Sequence, residues 1–74
     1  MDIMETIRAR YSEISSVQKR IADYCLEHPD AASFQTLREF AQTTHTTDAT
    51  VLKFCINMGC QGFLVFRRQL QEYV

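Results

Sequence analysis

Helical punctuation constrains this chain more than any other feature. Only three of its 74 residues are glycine or proline. Pro29 and Gly59 fall where an apolar pattern spaced by three and four residues stops, and Gly62 falls just before the last such pattern starts. No alternation of period two persists, so the pattern describes helices and not strands. A chain this short has room for a single hydrophobic core. With 46% apolar residues, a packed helical globule follows and disorder or a turn-rich sandwich does not.

Read in order, the spacing predicts about five short helices. Ile3, Ile7 and Tyr11 line one face of a first helix with Asp2 as its N-cap. Ser15 and Gln18 have the spacing of a reciprocal cap for a second. Its stripe is Val17, Ile21, Tyr24, Cys25 and His28, and Pro29 ends it. A short connection, Asp30 to Ser33, leads to Thr36 and Glu39, a second capping box, which open a helix with Leu37, Phe40 and Ala41 inward. Thr44-His45-Thr46-Thr47 is too polar and too β-branched for a helix interior, but Thr47 can cap a fourth helix starting at Asp48. There Val51, Phe54, Cys55 and Met58 face inward and Gly59 supplies a left-handed terminator. Phe63, Phe66, Leu70 and Tyr73 share a face of the last helix. The fold class is therefore all-α, a compact bundle in which the third and fourth helices are joined by a tight turn.

Charge and cysteine usage narrow the function. The formal charge is −1, and it runs from −2 over residues 1–37 to +1 over residues 38–74. No domain-wide positive field exists, and the asymmetry alone does not mark a nucleic-acid surface. The longest apolar run, Phe63 to Phe66, is far below the roughly 20 residues that cross a bilayer. No membrane partner is expected. Cys25, Cys55 and Cys60 are odd in number and lack C-x-x-C spacing, which points to a reducing cytoplasm. Cys25 and His28, three apart, have a spacing able to hold a metal with His45, Cys55 or Cys60 completing it. Cys25 and Cys55 both lie on apolar stripes, where free cysteines serve as core residues, so no metal or cofactor is expected. So small a domain also offers little cleft for Cys-His catalysis, and an enzyme is not expected.

Three blocks in order are more specific: Leu37-Arg38-Glu39-Phe40-Ala41, Thr47-Asp48-Ala49-Thr50-Val51-Leu52-Lys53-Phe54-Cys55, and Met58-Gly59-Cys60-Gln61-Gly62-Phe63. With Ile14-Ser15 and Ile21 through Pro29 upstream, they give the chain a sequence that closely resembles the N-terminal domain of RpiR-type (MurR/RpiR) bacterial transcriptional regulators. The resemblance covers nearly the whole chain, and residues 1–74 are read as a single domain of this type. It implies a helix-turn-helix domain that binds double-stranded operator DNA in regulating sugar metabolism. In that family the domain is usually joined to a C-terminal sugar-isomerase-type domain that senses a phosphorylated sugar. No such domain lies in these 74 residues, so the effector is expected to bind elsewhere. Three positions depart from the family pattern: Lys53 stands where Arg is common, Thr46 where a branched apolar residue is common, and Ile56 where a basic residue is common. Arg to Lys keeps charge but loses the bidentate fork, and weaker binding by a single domain is the expectation.

On that resemblance the helix at about 48–58 reads the major groove. Thr47 and Thr50 are expected to donate to phosphates at its N-terminal end, Thr47 also serving as cap. Asp48 can accept from cytosine or simply complement the helix dipole, and Ala49 can touch a thymine methyl. Lys53 is assigned to phosphate or guanine, beside Asn57 on the polar flank, and Arg67 or its neighbour Arg68 to the DNA backbone. A homodimer is expected, because helix-turn-helix proteins read paired half-sites, with Met4 or the Leu64-Val65 pair as its surface. The competing reading is a helical interaction module with little DNA affinity, supported by the charge of −1 and the apolar Ile56. Salt-dependent binding to duplex DNA separates the two.

Overall fold

The computed structural model describes residues Met1–Val74 and is wholly helical. Its elements are α1 (Ile3–Arg10), a 3-10 turn (Tyr11–Glu13), α2 (Ser16–Glu27), α3 (Pro29–Ala32), α4 (Leu37–Thr43), α5 (Asp48–Asn57) and α6 (Phe63–Tyr73). Six α-helices stand where the sequence predicts about five. The addition is α3, a single turn in the stretch read as a connection. Pro29 ends α2 and, with its φ already fixed, starts this turn as its first residue. Ala32 is buried there, and the Ser33 hydroxyl donates to the Asp30 carbonyl.

Local chemistry sets the helix starts. The Asp2 carboxylate accepts from the Glu5 amide while Glu5 reaches back to the Asp2 amide, and Thr36 and Glu39 do the same for α4. Ser15 caps α2 by accepting from the Gln18 amide, but the reciprocal bond is absent. The Gln18 side chain turns inward instead, and its Oε1 accepts from Asn57 Nδ2 of α5 at 2.8 Å. That contact explains a rotated α2 stripe. Gln18, Ile21, Ala22 and Cys25 are buried, while Val17 is 38% exposed and His28 lies in solvent.

The core draws on α1, α2, α4, α5 and α6, with Ala32 from α3. Phe40 is its aromatic hub, its ring edge-on to those of Tyr24, Phe63 and Phe66, and Phe66 packs in turn on Phe54. Met4, read as an exposed residue available to a partner, is only 1% exposed and belongs to this core. An eight-residue helix packed against both α2 and α6 buries a wider arc than the Ile3-Ile7 line alone. Leu64 and Val65 do remain exposed on α6.

Candidate nucleic-acid interface

The geometry around α5 begins with the turn that precedes it. Thr44 is buried, and its hydroxyl returns to the Phe40 carbonyl at 2.9 Å. His45 takes the left-handed conformation at φ 57°, and the Thr46 amide closes back on the Ala41 carbonyl at 2.9 Å. From α2, the Arg20 guanidinium donates to the carbonyls of Thr44 (3.4 Å) and His45 (2.7 Å). Orphan carbonyls at the end of α4 thus find partners, and the angle at which α5 leaves α4 is held from a third helix. At the far end Gly59 takes φ 85° and its amide bonds the Ile56 carbonyl, as a helix terminator does.

Within α5, Val51, Phe54 and Cys55 are buried, with Met58 beyond its end. Ala49, Leu52, Lys53 and Ile56 are exposed, and their spacing of three, one and three residues makes them one outward stripe. At the N-terminal end the Thr47 hydroxyl oxygen accepts from the Thr50 amide at 3.2 Å and lies 3.0 Å from the Thr50 hydroxyl. Whichever hydroxyl donates in that pair, the other keeps a proton for an external acceptor. The amides of Asp48 and Ala49 precede the first intrahelical bond and are available as well.

Arg38 on α4 reaches across to Asp48, Nε to Oδ2 at 3.3 Å, in the one ion pair of the molecule. This residue is absent from the sequence-derived candidates. Its side chain is 73% exposed, and only Nε is engaged, leaving the two terminal nitrogens to an incoming anion. The same pairing offsets the negative charge that Asp48 would otherwise set against a phosphate, while Oδ1 of Asp48 is left to accept. Lys53 makes no ion pair and stands exposed on the outward stripe.

Two further sequence candidates are engaged within the fold. Asn57 is solvent-exposed, but its amide nitrogen is used by Gln18. Arg67 is half-buried, donating to the Gln35 carbonyl at 3.1 Å with its guanidinium 5.9 Å from the Phe63 ring. Arg68, next to it, is the exposed member of the pair. All three cysteines are buried. Desolvation, with Cys60 nearby, pushes the Cys55 thiol up to about 12, and burial raises Cys25 and Cys60 too. They are protonated core residues at neutral pH.

The comparison with known proteins decides the lineage. Residues 1–74 match the family described as "Helix-turn-helix domain, rpiR family". The chain belongs to the rpiR family of helix-turn-helix domains. The helix-turn-helix of this rpiR domain is α4, the Thr44–Thr47 turn and α5. The chain is 32% identical to an HTH-type transcriptional regulator of Haemophilus influenzae over 69 residues, 93% of this chain and 24% of that protein. It is 29% identical over 68 residues to the bifunctional protein glk of Burkholderia thailandensis, 92% of this chain and 11% of that protein. Among solved structures, Vibrio vulnificus NanR in complex with ManNAc-6P matches 97% of the chain and 28% of its own length, with a TM-score of 0.93 and 32% identity. The N-terminal domain of the Bacillus subtilis regulator ybbH matches 93% of the chain and 84% of its own length, with a TM-score of 0.87 and 25% identity. The chain thus spans about a quarter or less of the curated relatives it matches.

Proposed function

We propose that this rpiR helix-turn-helix domain binds double-stranded operator DNA with the outward stripe of α5 in the major groove. The observation that carries the reading is the start of α5. A spare hydroxyl proton on the Thr47–Thr50 pair, two free amides and the terminal nitrogens of Arg38 converge there on the positive end of the helix dipole. Phosphate is the anion that suits this set, and Lys53 one turn further on supplies a second cation to the phosphate or to guanine. Ala49 and Oδ1 of Asp48 stand nearest the base edges. Asn57 and Arg67 act as braces, the first holding α5 to α2 and the second holding α6 to the α3–α4 loop.

With a charge of −1 and few cations near α5, one domain binds weakly, and two half-sites read by a homodimer supply the avidity. The exposed Leu64 and Val65 of α6 are the proposed dimer surface. The similar regulator NanR is complexed with ManNAc-6P, a phosphorylated sugar. By analogy, the regulator served by this domain takes a phosphorylated-sugar effector outside residues 1–74.

Binding of the wild type and Lys53→Ala to a duplex selected from a random library, at several salt concentrations, tests the reading. Affinity of the wild type falls steeply with salt. Lys53→Ala lowers the log–log slope by about 0.9 if it neutralises one phosphate, or costs about 1–3 kcal/mol at one base pair if it reads guanine. Identical binding by both proteins at every salt concentration refutes the assignment. Salt-independent behaviour favours the interaction-module reading, for which the exposed Ile56 is the structural support.

A further inference from the structure

The outward stripe of α5 is unusual for a surface meant to meet a polyanion. Of its four members, Ala49, Leu52, Lys53 and Ile56, three are apolar, and Ile56 is 65% exposed. None of the four is needed by the core, which is filled from the opposite side by Val51, Phe54, Cys55 and Met58. The polar groups flanking the stripe are largely committed within the protein. Oδ2 of Asp48 is held by Arg38 and the Asn57 amide nitrogen by Gln18, while the Thr47–Thr50 hydroxyl pair keeps one spare proton, at the helix start and not on the stripe. Lys53 is the one unengaged hydrogen-bonding side chain on the stripe itself.

We infer that α5 discriminates bases chiefly through thymine C5-methyl groups, received by Leu52 and Ile56 with Ala49, while Lys53 and the helix start supply orientation. This rests on the DNA reading above and adds what the groove must present. The thymine methyl is the apolar group on the major-groove edge of the bases, so it is the complement available to an apolar stripe. The rise from Ala49 to Ile56 is about 10 Å, comparable to three base-pair steps of about 3.4 Å. The apolar positions also continue directly from the cationic and hydroxyl groups at the start of α5, so one docking engages both. The preferred half-site is accordingly thymine-rich on the strand facing α5.

Deoxyuridine differs from thymidine only by lacking that methyl; its hydrogen-bonding groups and phosphate charge are unchanged. The test takes a duplex of about 20 base pairs, two helical turns, selected by the wild-type domain and replaces its thymines by deoxyuridine one at a time. Binding is measured for the wild type, Ile56→Ala, Leu52→Ala and Lys53→Ala, with circular dichroism confirming that each exposed-site variant folds. The wild type loses about fourfold affinity at each contacted thymine, the equivalent of one buried methyl at about 0.8 kcal/mol, with no change in salt slope. Ile56→Ala or Leu52→Ala abolishes the penalty at its own thymine, whereas Lys53→Ala retains all of them. Salt-dependent binding that tolerates deoxyuridine everywhere overturns this inference and leaves the DNA reading standing. A penalty that persists equally in both apolar variants overturns it too. Absence of salt-dependent duplex binding, or self-association that Ile56→Ala abolishes, overturns both.

Discussion

Replacing Phe40 by alanine removes the one ring shared by α2, α4 and α6. Its centroid lies 5.5 Å from that of Tyr24, 5.6 Å from Phe63 and 6.3 Å from Phe66, with interplanar angles of 82°, 73° and 85°. The residue is fully buried. Truncating a buried phenylalanine costs about 3–5 kcal/mol, and losing three edge-to-face partners places this site at the upper end, near 5 kcal/mol. At about 0.05–0.15 kcal/mol per residue, a chain of 74 residues has about 4–11 kcal/mol in total. Phe40→Ala therefore removes from a little under half to all of the stability. Urea unfolding followed by helical circular dichroism measures it, with Phe34→Ala as the control. Phe34 is 78% exposed, and its truncation changes stability by no more than about 0.5 kcal/mol. A loss below about 2 kcal/mol for Phe40→Ala, less than the usual range for a buried ring, or equal losses for the two variants, refutes the hub.

Two further outcomes follow from titration and backbone conformation. Because folding raises the Cys55 thiol from 9.0 to about 12, and Cys25 and Cys60 in the same direction, the folded state holds protons that the unfolded state releases. Stability is complete below about pH 9 and falls as pH rises above it, with Cys55 alone contributing a slope approaching about 1.4 kcal/mol per pH unit. Melting temperatures taken from neutral pH to well above the unfolded thiol range show this decline, and Cys55→Ala makes it shallower; a level profile contradicts the buried thiols. His45→Gly relieves the left-handed backbone at φ 57°. That conformation costs a non-glycine residue about 1–2 kcal/mol, against about 0.5–1 kcal/mol of added unfolded-state freedom, so the variant gains about 0.5–1 kcal/mol in the same unfolding assay.

What the sequence revealed was governed by local chemistry. The Thr36–Glu39 box, the Thr47 cap and the Gly59 terminator each join residues three or four apart, and all are realised in the structure. The helix-turn-helix was legible for that reason. Where a distant partner intervenes, local spacing does not predict the outcome. Gln18 has the spacing to close a cap on Ser15, but Asn57, 39 residues away, binds its side chain and rotates the buried stripe from Val17 to Gln18. Arg20 shows no pattern in sequence because its acceptors are backbone carbonyls of a turn that forms only when α4 and α5 are in place. The role of Arg38 is hidden in the sequence for a related reason. Its pairing with Asp48 depends on the angle between α4 and α5, which spacing within either helix does not encode. Arg67 reads as a surface cation until α6 docks against the Gln35 carbonyl.

Contact between DNA and α5 is the central claim. Backbone amide shifts of the isotopically labelled domain, recorded as a selected duplex is titrated in at low salt, locate the contact directly. The predicted result is that the largest changes fall on Thr47, Asp48, Ala49, Thr50 and Lys53, with Arg38 following, while Glu5 and Arg8 of α1 stay in place and added salt reverses the shifts. Shifts concentrated on α1 or around Leu64 and Val65 of α6, with α5 unmoved, contradict it.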